Sequence, residues 1–190
     1  MKILWIGGWA IPINIIKTLV LNAFPNLNHC CIHPHEKYLE IIDKYNPDVI
    51  VGYSLGATLL LNNSSNIFKE YLIAPFLNIK DAIHINSTQL KYLIKWLKKD
   101  PLNAINDFYQ RSQLSIPKLT ELPYPISDLI WGLETLIYTN QLTIPHNSQI
   151  LLGNHDPLIN PNFFLQHAPI STIYHDSDHN LQAFLEILPF

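Results

Sequence analysis

Charge is scarce in this chain: 14% of its 190 residues are Asp, Glu, Lys or Arg, against roughly 25% in an average soluble domain. Apolar residues make up 48% and aromatics 11%, enough to bury a sizeable core, so intrinsic disorder is excluded. No apolar run approaches the ~20 residues needed to cross a bilayer. Met1-Lys2 leads directly into a strand-like stretch with no cleavage site, so a cytoplasmic location is expected. The two cysteines, Cys30 and Cys31, are neighbours whose side chains would point to opposite faces of a strand, which excludes a disulfide framework. With a net charge of −3 there is no Lys/Arg surplus to neutralise phosphates, and nucleic acid is not the expected partner. Neither G-x-G-x-x-G nor G-x-x-x-x-G-K-[ST] occurs, which argues against a nucleotide site. His29, Cys31, His33 and His35 alternate, but Pro34 interrupts them and no C-x-x-C spacing exists, so no metal and no other cofactor is expected. Internal repeats and low-complexity tracts are absent as well.

What is present alternates between short apolar runs and helical patterns. Lys2 to Ile6 is a continuous apolar run stopped by Gly7-Gly8, the signature of a strand buried on both faces. Ile13, Ile16, Leu19, Val20 and Ala23 follow at helical spacing behind Pro12. A second strand is predicted over 28–33, a helix over 36–45, a third strand over 48–53 and a helix from Leu55 to Leu61. Further strands are predicted at 70–74, 149–152 and 171–174, with a final helix over 181–188. Such alternation indicates an α/β protein built on a doubly wound, mostly parallel sheet. Over 77–146 the rhythm changes: helical stretches dominate and Pro117, Pro123 and Pro125 cluster, as expected of a helical lid inserted into a single domain between core segments 1–76 and 147–190.

Gly52-Tyr53-Ser54-Leu55-Gly56 matches G-x-S-x-G and sits between an apolar strand and an apolar helix. That pattern places a serine in a strained turn, with glycines on either side letting strand and helix approach closely. A serine hydroxyl is a poor nucleophile unaided, so a base must accept its proton and a carboxylate must orient the base. Asp156, just past the 149–152 strand, is the best-placed acid. His179, in a loop after the last strand, is the expected base, and His175 is its competitor at the strand end. The order Ser54, Asp156, His179 fits a serine hydrolase. An oxyanion would need two N–H donors, one after the nucleophile and one from the loop after the first strand, which selects the Leu55 and Trp9 amides. Gly7-Gly8 would permit that loop to turn tightly.

Charge is unevenly distributed. Residues 80–118 hold seven bases and three acids, net +4, while the remainder holds five bases and twelve acids, net −7. Lys91, Lys95, Lys98 and Lys99 recur at helical spacing opposite Leu90, Leu93, Ile94 and Leu97, and Arg111 follows. This basic surface would suit an acidic protein partner.

These residues resemble the α/β-hydrolase family, with Gly52 to Gly56 as nucleophile elbow, Ser54, Asp156 and His179 as triad, and the Trp9 and Leu55 amides as oxyanion hole. More narrowly, Gly8-Trp9, Tyr53-Ser54-Leu55-Gly56 and Gly132-Leu133-Glu134-Thr135-Leu136 ahead of Leu142 are similar to the biotin-pathway pimeloyl-acyl-carrier-protein methyl ester esterases. The resemblance implies a trimmed hydrolase sheet lacking the family's first two strands. It also implies a substrate chain tethered to an acidic acyl-carrier protein, docked through Lys91, Lys95, Lys98, Lys99 and Arg111. An acyl-carrier thioesterase or a general small-ester hydrolase would use the same apparatus, and a non-catalytic carrier-binding module would use the same basic face.

Overall fold

The structure, a computed structural model, describes residues 1–63, 68–79, 82–83, 85–140, 144, 147–167 and 172–190. Its elements run β1 (Lys2–Ile6), α1 (Ile13–Ala23), β2 (Asn28–Ile32), α2 (Tyr38–Tyr45), β3 (Val49–Tyr53), α3 (Leu55–Asn62), β4 (Lys69–Ile73), α4 (Ser87–Leu97), α5 (Pro101–Arg111), α6 (Ile126–Tyr138), β5 (Ser148–Gly153), α7 (Pro161–His167), β6 (Thr172–His175) and α8 (Leu181–Leu185).

The six strands form one sheet in the order β2-β1-β3-β4-β5-β6, and every neighbouring pair is parallel. Parallel strands with helices on both faces must be apolar throughout, which is why β3 is buried at all five positions and β1 from Ile3 onward. The chain lays β2 on one side of β1 and then crosses to lay β3 on the other. That reversal opens a crevice beyond the carboxyl ends of β1 and β3, the place where parallel sheets bind ligands. The glycine pair after β1 and the serine turn after β3 both fall there.

Helix α3 is apolar around its whole circumference and buried from Leu55 to Leu61, because it lies against β3 and β4 on one side and α6 on the other. Its one buried polar side chain, Thr58, is satisfied: Oγ1 donates to Ser54 O at 3.1 Å and accepts from Phe76 N at 2.9 Å.

Between β4 and β5 the described residues contain α4, α5 and α6 and, apart from isolated bridges, no strand. Helix α4 starts with a capping box in which Asn86 and Gln89 exchange side chain to backbone bonds of 3.0 and 2.9 Å, each such cap contributing about 1 kcal/mol. Asp100 then caps α5 with Pro101 at its first position, and α4 and α5, joined by residues 98–100, pack against each other.

Two helix ends differ from the sequence expectation by two residues or more. Helix α2 begins at Tyr38 and not at residue 36, because His35 turns the chain first: its carbonyl accepts from Tyr38 N and its ring from Lys37 N. It ends at Tyr45 as expected, and Asn46 after it takes the left-handed conformation before Pro47. Helix α8 stops at Leu185 and not at residue 188, because the chain folds back to put Phe190 edge-on against Tyr71 and Trp5. Lys80, Asp81, Leu142 and Ser171 lie outside the described residues. Among the described residues no helix is long and apolar enough to cross a membrane.

Candidate active site

Ser54 occupies the turn between β3 and α3 with φ 54° and ψ −113°, a region that costs a non-glycine residue on the order of 1–3 kcal/mol. Its surroundings over-determine it. Ser54 N donates to Ile73 O at 2.8 Å, and Ser54 O accepts from Thr58 N at 3.0 Å. The flanking glycines make the turn possible by close approach. A Cβ on Gly52 would stand 2.5 Å from Ala57 Cα, and one on Gly56 would stand 2.2 Å from Ile6 O. Gly56 N donates to Gly7 O at 3.1 Å, so the start of α3 is tied directly to the end of β1.

Asp156 follows β5 in a loop whose amides fix its carboxylate. Oδ1 accepts from Leu158 N at 2.8 Å and Ile159 N at 3.0 Å, leaving Oδ2 to meet His179 Nδ1 at 2.6 Å. His179 Nε2 lies 3.0 Å from Ser54 Oγ. A carboxylate only accepts, so Nδ1 carries the proton and Nε2 offers its lone pair to the serine hydroxyl. All three residues are buried, with His179 2% and Asp156 4% exposed. The histidine loop is held close by Gly153, where a Cβ would meet Asp178 O at 2.4 Å, and by His155 N donating to Ser177 O at 3.0 Å. Tyr53 Oη donates to His179 O at 2.7 Å, so the residue before the serine also holds the histidine. His175, the other histidine weighed from the sequence, is the last residue of β6, with its ring 6.1 Å from Phe184 and no bond to Ser54.

The loop after β1 differs from expectation. Neither Gly7 nor Gly8 has a positive φ; the left-handed residue is Ala10, at φ 61°. The glycines act through closeness, since a Cβ at Gly7 would meet Ile16 Cδ1 at 2.6 Å and one at Gly8 would meet the Tyr53 ring at 3.2 Å. The Trp9 indole donates to Leu129 O of α6 at 2.8 Å and packs edge-on against Phe108 of α5 at 4.8 Å. The amides of Gly7, Ala10, Ile11 and Gly56 donate to protein acceptors, whereas those of Trp9 and Leu55 find none among the described residues.

Ser54 and His179 open onto an apolar cavity walled by Trp9, Phe76, Phe108, Leu133, Leu136 and Leu158. Ile85, Leu90, Phe108 and Leu158 also line a wider groove between α4 and α5, so these four side chains stand between cavity and groove. Arg111 and Asp107 stand in that groove, paired at 2.7 Å. Lys91, Lys95, Lys98 and Lys99 are exposed along α4 and its end, line neither the cavity nor the groove, and form no ion pair among the described residues. The sequence did not single out Tyr53, Tyr109 or Tyr124, whose hydroxyls bond backbone atoms of His179 and Ala10. Their signal is a tyrosine where a phenylalanine would pack as well, which becomes readable only once the partners are known.

The other nucleophile and metal-ligand candidates are otherwise engaged. Burial pushes the Cys31 thiol up to about 12, far from a reactive thiolate. His29 accepts from the Trp5 indole at 3.0 Å, and His33 lies 3.0 Å from Asp128. Among the described residues no three His, Cys, Asp or Glu side chains gather as a metal-binding group.

No protein-family model matches the sequence, and no curated protein sequence is significantly similar to it. Solved structures do match. BioG from Haemophilus influenzae is 16% identical with a TM-score of 0.61, over 94% of this chain and 88% of that one. A thermophilic esterase from Thermogutta terrifontis is 10% identical with a TM-score of 0.67, over 98% and 85%. The 2-hydroxy-6-oxo-6-phenylhexa-2,4-dienoate hydrolase of Rhodococcus sp. strain RHA1 is 13% identical with a TM-score of 0.60, over 97% and 85%. With its parallel six-stranded sheet and the serine turn at the crevice, the chain has the α/β-hydrolase fold.

Proposed function

We propose that the protein is a serine carboxylesterase with Ser54, His179 and Asp156 as its catalytic residues. The observation that carries this reading is the buried hydrogen-bonded series Asp156, His179, Ser54 at the wall of an apolar cavity. Ser54 Oγ attacks the ester carbonyl while its proton passes to His179 Nε2, and Asp156 holds the imidazolium that results. The carbonyl oxygen gains negative charge and is met by the Trp9 and Leu55 amides. His179 returns the proton to the departing alcohol, and water then releases the acid from the acyl-enzyme by the same steps in reverse. The chemistry needs no metal or cofactor. Helices α4 to α6 serve as a lid over the cavity.

The substrate is the methyl ester of a pimeloyl chain carried by acyl-carrier protein, in the cytoplasm. The short motifs shared with the biotin-pathway esterases support this choice, and the likeness in fold to BioG is in keeping with it. A cavity without charged walls suits a methylene chain, which leaves past the groove that Arg111 lines, and an acidic carrier docks on Arg111 and on Lys91, Lys95, Lys98 and Lys99, the exposed lysines along α4 and its end. Incubation with methyl-pimeloyl-acyl-carrier protein should release methanol and leave the carrier thioester intact. Release of the carrier thiol would instead mark a thioesterase, and no turnover would overturn the substrate.

Two expectations separate docking from chemistry. Changing Lys91, Lys95, Lys98 and Lys99 to Glu should raise KM for the carrier substrate at least about tenfold at low salt while leaving p-nitrophenyl butyrate hydrolysis unchanged, because steering charges are screened within ~10 Å at 0.1 M salt. Steady-state assays at two salt concentrations check this, and a KM indifferent to the charge reversal would remove the docking surface. His175→Ala should keep kcat for p-nitrophenyl butyrate within about threefold of the parent, whereas His179→Ala should lose at least about 10³-fold. The reverse pattern would reassign the base.

A further inference from the structure

The two amides assigned to the oxyanion hole rest on different supports. Leu55 N begins α3, whose position is set by the sheet and the serine turn. The Trp9-Ala10 segment is instead gripped from the helical insertion, through the backbone of Ala10 and the side chain of Trp9. Tyr109 Oη of α5 donates to Ala10 O, and Ala10 N donates to Tyr124 Oη just before α6. The Trp9 indole donates to Leu129 O of α6. Ala10 is held at φ 61°, a conformation that an alanine leaves when nothing constrains it. Both tyrosines are buried, and Tyr124 is fixed in turn by stacking on His33 at 4.6 Å and 12°. Burial raises both phenols, so each hydroxyl keeps its proton at neutral pH.

We infer that Tyr109 and Tyr124 are positioning residues that clamp Ala10 from both sides of its backbone and so aim the Trp9 N–H at the developing oxyanion. The inference rests on the esterase reading above. It makes the insertion a structural half of the oxyanion hole as well as a cover, so that a displacement of α5 or α6 changes the rate of the chemical step and not only access to the cavity.

The test compares the parent protein with Tyr109→Phe and Tyr124→Phe. Sites are counted by fluorophosphonate titration, so that kcat refers to folded active sites alone. With p-nitrophenyl butyrate, each variant should lose roughly 10- to 30-fold in kcat, less than the loss of a whole oxyanion donor, with KM within about twofold. An alkyl trifluoromethyl ketone supplies the second readout. Ser54 Oγ adds to its carbonyl carbon, the serine proton passes to His179, and the former carbonyl oxygen becomes the bound oxyanion. Its inhibition constant should rise by the same factor as kcat falls. Unchanged kcat per titrated site would overturn the clamp, as would a fall in melting temperature with kcat per site and inhibition constant unmoved. If the parent itself neither hydrolyses the ester nor forms the adduct, the assignment of Ser54 as nucleophile fails, and the clamp falls with it.

Discussion

Replacing Ser54 by alanine is expected to lower kcat/KM for p-nitrophenyl butyrate by at least about 10⁴-fold, with the fold intact by circular dichroism. The size follows from what remains. Without the hydroxyl no acyl-enzyme can form, and the surviving rate comes only from binding and the amide donors. The variant should be no less stable than its parent. Among the described residues the serine hydroxyl bonds only His179 Nε2, while the backbone bonds that fix the turn, Ser54 N to Ile73 O and Thr58 N to Ser54 O, do not involve the side chain. Residual activity above about 1% of the parent would show that another group carries the reaction. Asp156→Asn should fall nearly as far, because an amide can offer Nδ1 of His179 a donor where an acceptor is needed and so favours the wrong tautomer.

Gly56→Ala carries the largest expected effect on stability, about 3 kcal/mol or more, seen as a fall in melting temperature of roughly 6–12 °C. The added Cβ would stand 2.2 Å from Ile6 O and 2.7 Å from Gly7 O. These are backbone atoms of β1 and its end, with no rotamer to move aside, so α3 must lift from the sheet and lose the Gly56 N to Gly7 O bond. Activity should be lost with it, because the Leu55 amide and Ser54 move with the helix. Gly132→Ala is the matched comparison. Its Cβ would meet Leu55 Cδ2 at 2.7 Å and Trp9 Cδ1 at 3.1 Å, side-chain atoms that can yield, so the cost should stay below about 1.5 kcal/mol. Differential scanning calorimetry on both variants decides the matter: equal shifts would mean that the approach of β1 and α3 is not the constraint.

The fold was legible in the sequence because its strands are buried on both faces. Lys2 to Ile6 and Val49 to Tyr53 can belong only to a covered parallel sheet, and a covered parallel sheet needs the helices that the intervening periodicity supplies. The serine turn was legible because its glycines stand where a Cβ would strike backbone, a constraint that leaves a trace at fixed spacing. Asp156 and His179 reach Ser54 from the loops after β5 and β6, a meeting the sequence order suggests because parallel strands deliver such loops to one edge. The tyrosine contacts were not legible. Tyr109 and Tyr124 lie 99 and 114 residues from Ala10, and nothing local to either marks its hydroxyl as a partner of that peptide. The role of Gly7-Gly8 differs from the sequence expectation for a related reason. Glycine content suggests backbone freedom, whereas these two are needed for side-chain clearance and the strained conformation falls on Ala10.

The esterase assignment turns on whether Ser54 is an activated nucleophile. A fluorophosphonate probe reacts with a serine only where a neighbouring base takes its proton, so the product located by peptide mass spectrometry reports the site directly. One stoichiometric adduct on the peptide bearing Ser54, absent in Ser54→Ala and formed much more slowly in His179→Ala, is the expected result. A parent protein that stays unlabelled, or a Ser54→Ala variant labelled as fast as the parent, would contradict it.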